Sequence, residues 1–229
     1  MYSSLIELLA VAFFGACLYH SWRTEGQQYA QQWFAAGYYF ALLGQVLSVQ
    51  FGVISYSDQL TKFGSAPALA SLLIPALLYM AYALARWTNS DNDSRRMYLT
   101  MFLLTPALAL PIDATALQFD WWSWPSGSIS FLNGIPYFVP LAWGLTGTLF
   151  YAFIRFVRRI RFTGNGQLFA LILGTPVITG IDLLLIALAQ VVVGLLSLAP
   201  QNILLDSLML LVLIVAPLGF ALWRPKPES

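Results

Sequence analysis

Charge is what this chain has least of. Charged residues make up 9% of its 229 positions, against about 25% in an ordinary soluble domain. So few charges cannot cover the surface of a soluble fold of this size, which excludes a typical cytosolic enzyme and a disordered chain. The net charge of +1 leaves no basic footprint for nucleic acid. One cysteine, Cys17, excludes an intramolecular disulfide and reads as a small apolar helix residue. With one histidine, His20, it supplies no donor set for haem, zinc or iron–sulfur chemistry. The only lysines, Lys62 and Lys226, fall outside the apolar runs, which argues against a retinal Schiff base. No glycine-rich phosphate loop, no Gly-x-Ser-x-Gly and no Gly-x-x-x-Gly occurs. No cofactor and no metal are expected.

Apolar residues, by contrast, make up 59% of the chain. A helix needs about 20 apolar residues to cross the hydrocarbon of a bilayer. Seven stretches qualify: 2–21, 31–54, 67–87, 97–118, 134–157, 168–196 and 201–223. The sixth is long enough to tilt, or to kink at Pro176. The first lacks a basic leader and meets its first positive charge only at Arg23, so it reads as a membrane helix rather than a signal peptide. The expected fold is all-α, a single integral membrane domain over 1–229 with about seven transmembrane helices, in the cell membrane.

Seven spans put alternate loops on opposite sides. Ten basic residues (Arg23, Arg86, Arg95, Arg96, Arg155, Arg158, Arg159, Arg161, Arg224 and Lys226) then share one side, and Lys62 alone takes the other. By the positive-inside rule the N-terminus is outside and the C-terminus cytoplasmic. The run Asp91-Asn92-Asp93 sits in a polar connection on the basic side and reads as a solvated turn.

The chain also holds an internal repeat. Residues 51–86 and 119–155 both begin Phe-x-x-x-Ser-aromatic, at Phe51, Ser55, Tyr56 and at Phe119, Ser123, Trp124. Both reach a Gly and Pro, at Gly64 and Pro67 and at Gly134 and Pro136. Both end Tyr-Ala-x-x-Arg, with Arg86 and Arg155 each nineteen residues after the proline. Including the preceding helices, 41–86 and 109–155 read as a duplicated helical hairpin. Duplicated units commonly place a ligand site between the copies.

Charges inside a membrane are costly and mark function by default. Glu7, Asp113, Asp182 and Asp206 fall within the spans, with no basic residue beside them. At 1.5 Å per residue, Glu7, Asp113 and Asp206 each lie about 7–10 Å inside the outer edge, and Asp182 deeper. Three acids at one depth suggest one pocket. A carboxyl group out of water and without a cation favours its protonated form, as a general acid requires. Asp120, seven residues after Asp113, shares its face if the helix continues. Trp121, Trp122 and Trp124 follow. Tryptophans there serve as interface anchors, or as π faces that stabilise a cation.

At these residues the chain resembles the carotenoid biosynthesis protein family, whose members include carotenoid hydratases. The first block is Leu42-Leu43-Gly44, Phe51-Gly52, Tyr56 and Gly64 to Pro67. The second is Asp113 nine residues before Trp122-Ser123-Trp124, then Gly134-Ile135-Pro136 and Trp143. The similarity covers about residues 40–155. Three positions depart from the family: Ala41 replaces a glutamate, Val139 an asparagine and Ala114 a proline. In the repeat alignment Asp113 pairs with Gln45.

The resemblance implies acid-catalysed hydration, or related carbocation chemistry such as cyclisation or isomerisation, of a terminal isoprenoid double bond. Asp113 is then the expected acid, with Trp122 and Trp124 flanking the cation. Glu7, Gln45, Tyr56, Asp120, Pro136, Trp143 and Asp206 are the expected substrate contacts. The expected partners are a lipophilic small molecule, the bilayer and enzymes of the same pathway. The alternative, motivated by the repeat and the lost polar residues, is a non-catalytic binding or transport protein for a lipophilic ligand.

Overall fold

A computed structural model gives the fold and describes residues 2–89, 94–124, 130–131, 134–160, 162 and 164–196. The expected seventh span 201–223, Asp206 and the Asp91-Asn92-Asp93 run lie outside the described residues. The described residues form six α-helices: α1 Tyr2–Glu25, α2 Gln27–Gln50, α3 Leu73–Thr88, α4 Ser94–Gln118, α5 Phe138–Arg159 and α6 Gly164–Leu196. A 3-10 turn, Ala70–Leu72, leads into α3. The fold is an all-α bundle.

Five of these helices are long and apolar enough to cross a membrane, over Ser4–Glu25, Ala70–Thr88, Arg95–Gln118, Phe138–Arg159 and Asn165–Val191. This supports a membrane protein. The sixth, α2, is as long as α1 but begins Gln27, Gln28 and carries Gln31 and Gln32. Of these four only Gln32 is buried; Gln27, Gln28 and Gln31 are exposed, while Tyr29, Trp33, Phe34, Ala36, Phe40 and Ala41 of the same helix are buried. It ends at Gln50, short of the expected 54, because the chain turns at Gly52 with φ +68°. Side chains with positive φ are strained, and glycine is not.

The helices close into a ring. Each of α2, α3, α4, α5 and α6 packs on the next, α6 packs back on α2, and α1 lies outside against α2 and α3. Glycine sets the closest approaches. A Cβ at Gly37 of α2 would stand 2.7 Å from the Pro75 side chain of α3. One at Gly144 of α5 would stand 2.7 Å from the Phe102 carbonyl oxygen of α4. That carbonyl is one that Pro106, lacking an N–H, leaves without its helical donor. Small residues at such contacts let helix backbones approach where no hydrophobic effect drives them together.

One end of the ring gathers the arginines. Arg86 at the end of α3 pairs with Glu25 at the end of α1. Arg158 of α5 lies over the ring of Tyr29, 4.5 Å from its centroid, and Arg155 over Tyr98, at 5.8 Å. The opposite end carries two loops of the same plan. Between α2 and α3 run β1 Ser55–Tyr56, β2 Lys62–Phe63 and β3 Ala66–Pro67. Between α4 and α5 run β4 Trp122–Ser123, β5 Ser130–Phe131 and β6 Ile135–Pro136. In each loop the second and third strands pair with each other, and the first strands, β1 and β4, pair across the two loops.

The outer faces are apolar. On α6, Phe169, Leu173, Val177, Leu184, Leu188 and Val191 recur every three to seven residues and are all exposed, a stripe suited to lipid.

Candidate functional site

The ring is filled unevenly, and this makes the site. Towards the arginine end, Trp33, Tyr79, Tyr82 and Phe150 stack against one another with centroids 5.1–6.0 Å apart where they touch. The Trp33 indole N–H donates to the Pro75 carbonyl at 3.2 Å. Towards the loop end several lining positions are small: Ala41, Gly44, Ala70, Ala109 and Ala142. They leave a cavity of about 170 Å³. The β1–β4 ladder lies at its loop end, and Ile54, Tyr56, Trp122 and Trp124 line it there.

Asp113 enters this cavity from α4. It is 3% exposed. Its Oδ2 accepts the indole N–H of Trp143, on α5, at 2.8 Å. Asp182 enters from α6 and is 6% exposed. The Thr146 hydroxyl of α5 faces both its oxygens, at 2.9 and 3.0 Å. Trp143 and Thr146 are three residues apart, so neighbouring positions on one face of α5 hold two acids from the two flanking helices. Gln45 enters from α2, its Oε1 accepting the Ser71 hydroxyl at 2.7 Å. Tyr56 completes the wall from the loop. Burial pushes its phenol well above the usual tyrosine range, and the nearby Asp113 carboxyl adds to the shift, so the phenol is neutral. The Trp122 indole N–H is buried and turned toward the Asp113 carboxyl.

The structure therefore brings together six of the residues expected from sequence: Gln45, Tyr56, Asp113, Trp122, Trp124 and Trp143. It does not bring in Glu7, Asp120 or Pro136. Glu7 is turned to the first loop, where its carboxylate accepts the Thr61 backbone N–H at 2.5 Å and the Thr61 hydroxyl at 3.1 Å. It does not line the cavity, so Glu7 and Asp113 do not converge. Asp120 does not continue the face of Asp113, because α4 stops at Gln118 and Asp120 turns the chain at φ +53°. It is exposed. Pro136 is buried in β6, opposite Ser130, outside the lining.

Sequence reasoning left one member out. Asp182 was visible as an acid inside a span, but helix order decides its neighbours, and α6 closing onto α2 and α5 places it beside Thr146. Two further lining positions are Ala41 and Val139, where the resemblance expects a glutamate and an asparagine.

No family model, no curated protein and no solved structure matches this chain. The chemistry of the cavity must carry the reading.

Proposed function

We propose that this chain is a seven-span protein of the cell membrane that acts on the branched end of an isoprenoid, adding water to its terminal double bond. The observation that carries the reading is Asp113, buried in an aromatic-walled cavity within an apolar bundle. The resemblance to the carotenoid biosynthesis family over about residues 40–155 supports it, and so does the shared loop plan of the two expected hairpins. The arginine-bearing end of the ring is then the cytoplasmic side and the loop end the outer side.

The residues suit the reaction in a stated order. Asp113 donates its carboxyl proton to the less substituted alkene carbon, and the π pair forms the new C–H bond. A tertiary cation is left, facing the rings of Trp122 and Trp124. A water oxygen forms the C–O bond, and the proton it sheds restores the Asp113 acid. Trp143 orients the carboxyl through its indole N–H. An apolar cavity of roughly 150 Å³ takes a benzene-sized group, so about 170 Å³ suits the end of an isoprenoid and not its whole length.

The test is pigment and lipid mass spectrometry in a carotenoid-producing host, with and without this protein. A product heavier than its precursor by one water, absent with Asp113→Asn, is expected. An isomeric product would move the reading to cyclisation or isomerisation. Full conversion by Asp113→Asn would remove the acid.

A second reading rests on Ala41 and Val139. Both face the cavity and both are apolar where the resembled family is polar. A lipophilic ligand bound and recovered unmodified would favour a binding or transport role.

A further inference from the structure

The hydration reading leaves one carboxyl group in the cavity unused. Among the described residues Asp182 meets a single hydroxyl, and the one proton of Thr146 faces both of its oxygens. Asp113 accepts the Trp143 indole N–H on Oδ2, and the Trp122 indole N–H is the second donor beside its carboxyl. An ionised carboxylate offers about four acceptor sites, so both groups are short of donors. Among the described residues no lysine, arginine or histidine lines the cavity. Buried charges are ordinarily paired, and here the described wall supplies two acids and no base.

The rest of the wall fits a cation. Tyr56, Trp122, Trp124 and Trp143 line the space, and the faces of such rings attract positive charge. The residues that hold the two acids, Trp143 and Thr146, are three apart on α5, or about 4.5 Å along its axis. Small residues leave room for a branched or cyclic group.

We propose that the cavity is a binding site for a lipophilic organic cation, an ammonium on a branched hydrocarbon, with its nitrogen between Asp113 and Asp182. The proposal rests on the reading of this cavity as the site for a branched apolar end, and it does not need the hydration chemistry. The ammonium carries the charge and branching of the tertiary cation in the proposed reaction, and a site complementary to a reacting cation also binds its stable mimic.

The full chain in lipid nanodiscs is titrated with N,N-dimethylgeranylamine at neutral pH and, separately, with the hydrocarbon of the same skeleton in which carbon replaces nitrogen. Saturable binding of the amine, at least about tenfold tighter than the hydrocarbon, is expected. Asp182→Asn and Asp113→Asn should each weaken the amine about tenfold and leave the hydrocarbon unchanged. Equal affinity for the two probes would overturn the proposal, as would amine binding untouched by both substitutions. Thr146→Val is the second variant should Asp182→Asn misfold. It keeps both acids and removes the only donor to Asp182 among the described residues, so the amine should bind at least as tightly as in the wild type. Weaker amine binding by a folded Thr146→Val would count against the site. Amine binding without any hydrated product would sink the hydration reading alone, and hydration without amine binding would sink this proposal alone.

Discussion

Ser55 and Ser123 hydrogen-bond to each other, hydroxyl to hydroxyl at 2.8 Å, across the antiparallel pair that joins the two loops. They are also the two serines that correspond in the sequence repeat. Matching positions that face each other in an antiparallel pair define a local two-fold axis. The pairing sets Tyr56 opposite Trp122, and both line the cavity.

This register predicts a specific cross-link. With Ser55→Cys and Ser123→Cys, paired positions in adjacent strands are at a spacing that a disulfide spans. Cys17 is the only native cysteine and is buried in α1, so it does not compete. Oxidation should join the two loops, seen by mass spectrometry as one peptide pair after digestion. Cysteine placed instead at Ser57 and Ser123 should cross-link far less. Equal yields would refute the register. The locked ladder should also slow ligand exchange with the cavity at its loop end.

The glycine contacts predict where added volume is not tolerated. Gly144→Leu would force a side chain against the Phe102 carbonyl oxygen and its ring. Overpacking of this kind costs typically 1–3 kcal/mol. The melting temperature in detergent should fall clearly. Gly15→Leu on α1, where an added Cβ meets nothing within 4 Å, should leave it nearly unchanged. Similar losses at both positions would mean that α4 and α5 are not packed this closely.

Glu7 should matter to stability and not to the cavity. Its carboxylate holds the Thr61 backbone N–H and hydroxyl, tying α1 to the first loop. Hydrogen bonds to charged groups contribute roughly 1.5–3 kcal/mol. Glu7→Ala should therefore lower the melting temperature and increase proteolysis near residues 57–61. Ligand affinity per folded molecule should be unchanged. Weakened affinity with intact stability would return Glu7 to the site.

The sequence made the bundle legible because length and hydropathy are summed over twenty residues and survive local exceptions. The exception was α2, whose glutamines lower its apolarity although it is one of the five helices of the ring. Asp113, Trp122, Trp124 and Trp143 were legible through spacing that the resemblance supplied. What failed was geometry beyond one element. Glu7 matches Asp113 in depth, but depth leaves rotation about the helix axis free, and Glu7 turns to the loop. Asp120 depended on α4 continuing two residues further than it does. Asp182 needed the knowledge that α6 packs on α5 at Thr146, a contact between helices that no spacing within a single segment encodes.

Tyr56 predicts an alkaline limit to stability. Burial and the neighbouring Asp113 raise its phenol above the ordinary value of 10.0. The sign follows from linkage: the raised group keeps its proton in the folded chain after the unfolded chain has lost it. Its contribution is thus fully present below about pH 10 and is lost as pH rises further, at about 1.4 kcal/mol per pH unit. Tyr56→Phe cannot ionise in either state. Between pH 7 and 9 the two proteins should show parallel stability, because the phenol is neutral in both states there. Above pH 10 the wild type should lose stability more steeply than the variant, measured by chemical unfolding in detergent micelles. Identical alkaline slopes would show that Tyr56 reaches water, and would open the cavity wall at the β1–β4 ladder.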